Sequence, residues 1–254
     1  MTPGRERILC IGLVLLPAFW RSPDVLAQVR PPPVFPRGEL AGVINHGPRT
    51  VKEIALTFDA CSTPWRGKFD AGVANVLVET RTPATLFLGG KWAGDVASDV
   101  RALASDTLFE FGNHAYRHPH LTRVKDDRVR KELEDAQRII TGLTGKRPVL
   151  FRAPYGELDA GVVAAAGSLG LTTIGYDLAS GDPDSLISRE ALVRYVTSTA
   201  RRGSIIVMHI NGRGWHTAEA LPEIISRLRA KGYVFVTVSR LLRAERAVSG
   251  TPRD

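Results

Sequence analysis

Four short polar clusters interrupt the apolar runs of this chain, and together their side chains suit metal-assisted hydrolysis. Thr57-Phe58-Asp59 brings a carboxylate, and Asn113-His114-Ala115-Tyr116-Arg117-His118 brings two spaced imidazoles. Arg152-Ala153-Pro154-Tyr155-Gly156 adds a cation and a phenol, and His209 adds a third imidazole. His114 and His118 are four apart, a spacing that sets both rings on one side of a helical turn, where they can grip one Zn²⁺ or similar ion. Each cluster alone also has a structural use, as an Asp–Arg scaffold pair or a hydrogen-bonded core histidine. Convergence at one place carries the argument for chemistry.

That convergence follows from the elements around the clusters. Apolar runs read as strands at Ile54–Phe58, Ala84–Leu88, Phe109–Gly112, Val149–Arg152, Thr173–Asp177, Ser204–His209 and Val234–Val238. Helical periodicity is clearest at Asp126–Leu143, where Val129, Leu133, Ala136, Ile140 and Leu143 share a face and Asp126 or Asp127 is positioned to cap the start. Thr217–Lys231 is a second helix with Gly232 placed to end it in a left-handed conformation, and Leu158–Leu169 and Arg189–Ala200 are further candidates. Seven strands alternating with helices predict an α/β fold with a parallel sheet closed toward a barrel. In a barrel of this kind chemistry sits at the C-terminal ends of the strands, where all four clusters fall.

Composition bounds the rest. The chain has 254 residues, 44% hydrophobic and 24% charged, which fits one soluble domain large enough to bury its own core. Arg5 and Arg7 precede an apolar run from Ile8 to Trp20, and Val25 and Ala27 hold the −3 and −1 positions of a cleavage site, so residues 1–27 read as an export signal. Left uncleaved, that segment would be the chain's only link to a membrane. Residues 28–50, with Pro31, Pro32, Pro33 and Pro36, read as an extended lead-in to a domain over 51–245, and 246–254 as a tail. A secreted or periplasmic protein is expected. Cys10 leaves with the signal, so Cys61 stays unpaired and reads as a packed apolar side chain. The net charge of +8 drops to +7 without residues 1–27, which hold three arginines against Glu6 and Asp24. The basic residues are dispersed and no nucleic-acid reader motif is present. No repeat or second domain is evident, and a monomer is expected.

On five ordered motifs the sequence resembles the polysaccharide deacetylases with the NodB homology domain, also called carbohydrate esterase family 4. They are Thr57-Phe58-Asp59-Ala60, Asn113-His114 through His118, Arg152 through Gly156, Tyr176-Asp177 through Asp182, and Val207-Met208-His209, spanning about Lys52 to Leu242. The resemblance implies a distorted (β/α)₇ barrel and a divalent metal, Zn foremost with Co, Ni or Mn as alternatives, held by His114 and His118. It implies hydrolysis of acetyl groups on glycans such as peptidoglycan, chitin-like oligomers or acetylxylan. By position, Asp59 matches the general base and Arg152 the cation beside it. His209 matches the general acid, Asp182 the carboxylate that orients it, and Tyr155 the backbone N–H donor to the oxyanion, with Pro154 beside it in the substrate site.

Two residues depart from the pattern. Ala60 stands where the family has a metal-binding aspartate, leaving Asp59, Asp70 or water for the third position. Pro183 stands where many members have a tryptophan. Trp65, Trp92 and Trp215 are candidate sugar platforms, Trp215 best placed in the Gly-rich loop after His209, whereas His46 and His120 read as exposed loop histidines. Two other readings stay open: a glycan-binding pseudoenzyme, and a metal-dependent amidase acting on a small C–N substrate.

Overall fold

The computed structural model describes residues 40–62 and 68–249. The signal segment, most of the lead-in, Cys10, Trp65 and the last five residues lie outside them. Among the described residues the strands are β1 (Val43–Ile44), β2 (Glu53–Ala60), β3 (Ala84–Leu88), β4 (Phe109–Asn113), β5 (Leu150–Phe151), β6 (Thr172–Ile174), β7 (Leu178–Ala179), β8 (Ile205–His209) and β9 (Val234–Phe235). The helices are α1 (Ala71–Glu79), α2 (Gly90–Asp95), α3 (Ala97–Ala104), α4 (Asp126–Thr144), α5 (Ala160–Ser168), α6 (Arg189–Thr199), α7 (Thr217–Ala230) and α8 (Val238–Ser249).

The strands form one curled sheet in the order β1-β6-β5-β4-β3-β2-β8-β7, with β9 added to β2. Every ladder between named strands is parallel. This is the expected distorted (β/α)₇ barrel, with β1 and β7 as the ends of the path.

Alternation along β2 builds two packing layers. Ile54, Leu56, Phe58 and Ala60 join the large core with Val73 and Leu77 of α1 and Leu221, Ile224 and Leu228 of α7. Ala55, on the opposite face, joins a smaller cluster with Phe87, Ile205, Val236, Val238 and Leu241. Thr57 and Asp59 share the parity of Ala55, so the hydrogen-bonding residues of β2 point inward along the barrel interior.

Several boundaries differ from the sequence reading. Val43–Ile44 lies within the expected lead-in yet pairs with β6, because a two-residue edge strand carries no periodic signal of its own. The run at Val234–Val238 is a strand for two residues only, and Val238 already begins α8. Lys125 caps α4 without a side-chain hydrogen bond, while Asp126 and Asp127 occupy the first turn, where their charge favours the helix N-terminus. Gly232 has φ 80°, the left-handed stop expected after α7.

Candidate active site

The C-terminal end of β2 places Asp59 in register with His209 of β8 on one side and Phe87 of β3 on the other. Paired positions on parallel strands carry their side chains on the same face, so the ladder itself brings the carboxylate and the imidazole together. Arg152, one residue beyond β5, is only 1% exposed. Its Nη1 donates to Asp59 Oδ1 at 2.8 Å and to Thr57 Oγ1 at 2.7 Å, and its Nη2 donates to the Gly175 carbonyl at 2.9 Å. The guanidinium also lies 4.1 Å from the centre of the Phe87 ring. Burial alone would raise the Asp59 carboxyl, but the charge of Arg152 and its hydrogen bond outweigh it and hold the group below the usual carboxylate range. Asp59 is therefore an anion fixed by a cation that has nowhere else to go.

A second carboxylate orients His209. Asp182 is buried; its Oδ1 accepts from His209 Nδ1 at 2.9 Å and from Ser180 Oγ at 3.0 Å. Its Oδ2 accepts from the His209 amide at 2.8 Å and from Thr217 Oγ1 at 2.7 Å. A carboxylate only accepts, so the ring carries its proton on Nδ1 and leaves Nε2 as the atom that exchanges protons with a ligand. Gly214 makes room for this network, since a Cβ there would meet Thr217 Oγ1 and would stand 2.5 Å from Asp182 Oδ2.

His114 and His118 converge, though not through the helical turn that their spacing suggests. The chain leaving β4 is irregular, with Ala115 and His118 both at φ 59°, a left-handed conformation in which L-residues are uncommon. The two Nε2 atoms are 3.1 Å apart. Two nitrogens each ~2.05 Å from a tetrahedral Zn²⁺ would be about 3.3 Å apart, so the pair fits two ligands of one ion. His114 Nδ1 contacts the Arg152 carbonyl at 2.8 Å, which fixes the proton there and frees Nε2 as a lone-pair donor. Burial lowers the pKa of His114, and burial together with His114 pushes His118 down to about 3, so both rings are neutral at pH 7.

A third protein ligand is less evident. Asp59 Oδ2 is 3.9 Å from His114 Nε2. Asp70 caps α1, its Oδ1 accepting from the Val73 amide at 3.2 Å. Ala60 is fully buried within the large apolar core. Among the described residues no group of three His, Cys, Asp or Glu side chains is arranged to hold an ion.

The rim differs more from expectation. Tyr155, half-exposed at 46%, adopts φ 58°, a strained conformation for a bulky residue, and follows the buried Pro154 in a short 3₁₀ turn. Its ring stacks on His120 at 4.1 Å with 10° between planes and meets the edge of His118 at 4.5 Å. His120, expected as a bystander, is further tied to Glu157 Oε2 at 2.8 Å. Trp215 is 44% exposed and its amide donates to the Asp182 carbonyl at 3.0 Å, keeping it beside the His209 network. Trp92 is 1% exposed and belongs to the core, so it offers no platform. Leu186, in the segment after Asp182, is 89% exposed. Cys61 is buried; desolvation pushes its thiol up to about 11, which suits a packed side chain and not a nucleophile.

Known proteins share this architecture. A peptidoglycan-N-acetylglucosamine deacetylase of Bacillus cereus is 28% identical over 203 residues, covering 79% of this chain and 72% of the relative. A bifunctional xylanase/xylan deacetylase of Cellvibrio japonicus is 33% identical over 164 residues, covering 64% of this chain and 24% of that longer protein. The crystal structure of a carbohydrate esterase family 4 pseudoenzyme from Bacillus anthracis superposes with a TM-score of 0.71 at 26% identity, over 79% of this chain and 68% of the other. The family model of polysaccharide deacetylases matches residues 46–174, half of the chain, and with it the chain belongs to the polysaccharide deacetylase family of enzymes.

Proposed function

We propose that this chain is an exported, divalent-metal-dependent hydrolase that removes acetyl groups from an N- or O-acetylated polysaccharide, with Asp59 as base and His209 as acid. The observation that carries the reading is the pairing of two oriented proton carriers, Asp59 on Arg152 and His209 on Asp182, in register on adjacent strands. Peptidoglycan, chitin-like oligomers and acetylxylan share the acetyl chemistry this arrangement would serve. The basic n-region and apolar run at residues 5–20 support export.

The mechanism follows from the residues. His114 and His118 would hold the ion, which when bound supplies Lewis acidity to the acetyl carbonyl. Asp59, kept ionised by Arg152, takes a proton from the attacking water. The Tyr155 backbone N–H helps hold the negative charge that grows on the carbonyl oxygen. His209 Nε2 delivers a proton to the departing amine or alcohol while Asp182 holds Nδ1. Tyr155 and Trp215, both exposed beside this machinery, offer aromatic faces to a sugar ring.

The test is acetate release by the full chain from acetylated peptidoglycan, chito-oligosaccharide and xylan, after chelation and again with zinc or cobalt added. Metal-restored release from one substrate supports the reading and identifies the glycan. Ala60 and the likeness to a pseudoenzyme favour one second reading, a glycan-binding protein without turnover. Binding to one of these glycans with no acetate released under any metal would select it.

A further inference from the structure

The loop that brings His114 and His118 together is held in an unfavourable backbone conformation, and a helix outside the five motifs holds it. Glu132, in the second turn of α4, is 1% exposed. Its Oε2 accepts from two successive loop amides, Tyr116 N at 3.0 Å and Arg117 N at 2.6 Å. Its Oε1 accepts from Arg128 Nη2 at 2.6 Å, one turn earlier on the same helix. The neighbouring Leu133 carbonyl accepts from Asn113 Nδ2 at 2.8 Å, and Asn113 Oδ1 accepts from the Ala115 amide at 2.9 Å. On the other side, Gly90 N and Lys91 N of α2 donate to the Ala115 and Tyr116 carbonyls at 2.9 and 3.0 Å. The segment between the histidines is thus gripped at both its amides and its carbonyls.

We propose that Glu132 is a positioning residue for the metal pair: its carboxylate fixes the left-handed loop that sets His114 and His118 at the spacing of one ion. Consecutive amides flanked by left-handed residues form a concavity that favours an anion, and here the protein's own carboxylate fills it. Left-handed Ala115 and His118 are each disfavoured intrinsically, so the loop keeps its shape only while surrounding bonds over-determine it. Without the negative charge the concavity loses the anion it favours and the two amides keep at most a weaker neutral acceptor, so the loop can relax, carrying His118 away from the buried His114. Glu132 touches neither ring. Its effect passes through the loop backbone, as outer hydrogen bonds commonly tune metal ligands.

The proposal rests on the metal-binding reading above, and the experiment separates the two. Affinity for Co²⁺ is measured by chelator competition on the full-length chain, wild type and Glu132→Gln, with the metal-free unfolding midpoint followed in parallel. Gln keeps one acceptor oxygen and the shape of Glu, which preserves folding better than Glu132→Ala. The expected result is an affinity about 10- to 100-fold weaker in the Gln variant, with an altered Co²⁺ absorption spectrum and a cooperative metal-free transition retained. Affinity and spectrum equal to wild type would overturn the positioning role alone. A wild-type chain that binds no Co²⁺ would overturn the metal reading and this inference with it. A Gln variant that does not fold would assign Glu132 to the general scaffold and likewise overturn the claim.

Discussion

Replacing Arg152 with methionine isolates what holds the base in place. The substitution keeps much of the apolar bulk against Phe87 while removing the charge beside Asp59 and the donors to Thr57 and Gly175. Removing one partner of a buried ion pair costs about 3–5 kcal/mol at neutral pH. For a chain of this size that corresponds to a fall of roughly 6–20 °C in unfolding temperature. The pH dependence carries the sharper information. In the wild type the Asp59 carboxyl is held low, so its stabilising contribution is present above the unfolded carboxyl pKa and is lost only as pH falls through the still lower folded value. In the variant, burial acts without the opposing guanidinium and the carboxyl rises. The stability gap is therefore largest near pH 7 and narrows as acid neutralises Asp59. A remainder of about 1–3 kcal/mol persists from the acceptors that Arg152 had served. Urea unfolding of both metal-free proteins at pH 7 and pH 4, with a pH profile of kcat/KM, reads this directly. A gap that stays constant between the two pH values, together with an acid limb that does not move upward, would refute the assignment.

Other perturbations test separate parts of the site. Asp182→Asn cannot accept from His209 N, His209 Nδ1, Thr217 and Ser180 at once, so steady-state kinetics should show a fall in kcat of about 10⁴-fold, as for a misoriented catalytic imidazole, with KM little changed. Gly214→Ala drives a methyl into Asp182 and Thr217 and should cost about 1–3 kcal/mol in denaturant titration while also lowering kcat. Cys61, with its thiol raised to about 11 by burial, should resist a thiol reagent at pH 8 in the folded chain and react on unfolding. Rapid labelling of the native protein would contradict that placement.

The long strands and the polar clusters at their ends are legible in the sequence because both depend on local pattern. β2, β3, β4 and β8 are mostly apolar runs; Asn113 and His209 close two of them, and Asp59 stands one residue before the end of a third. β1 and β7 were missed because two residues acquire strand character only from a partner, here β6 and β8. The short helices α1 to α3 escaped for a related reason: six to nine residues offer little more than one repeat of a helical face. A spacing of four points to the convergence of His114 and His118 but not to its backbone, since a left-handed loop can close the same distance as a helical turn. Glu132 and His120 left no readable signal at all. One resembles any glutamate on an amphipathic helix, and the other finds Tyr155 and Glu157, 35 and 37 residues away, only once the chain has folded.

The register of β2 on β8 has a consequence for how this enzyme could change its diet. Asp59 and His209 face each other across one rung of the β2–β8 ladder, so the spacing of their backbones is set by the distance between strands, about 4.8 Å. Side-chain substitutions leave that backbone spacing unchanged, and slipping the strands by one residue would turn one group away from the other. Pro183, Leu186 and Trp215 lie outside that ladder, in the segments that follow Asp182 and His209, and can vary without changing its register.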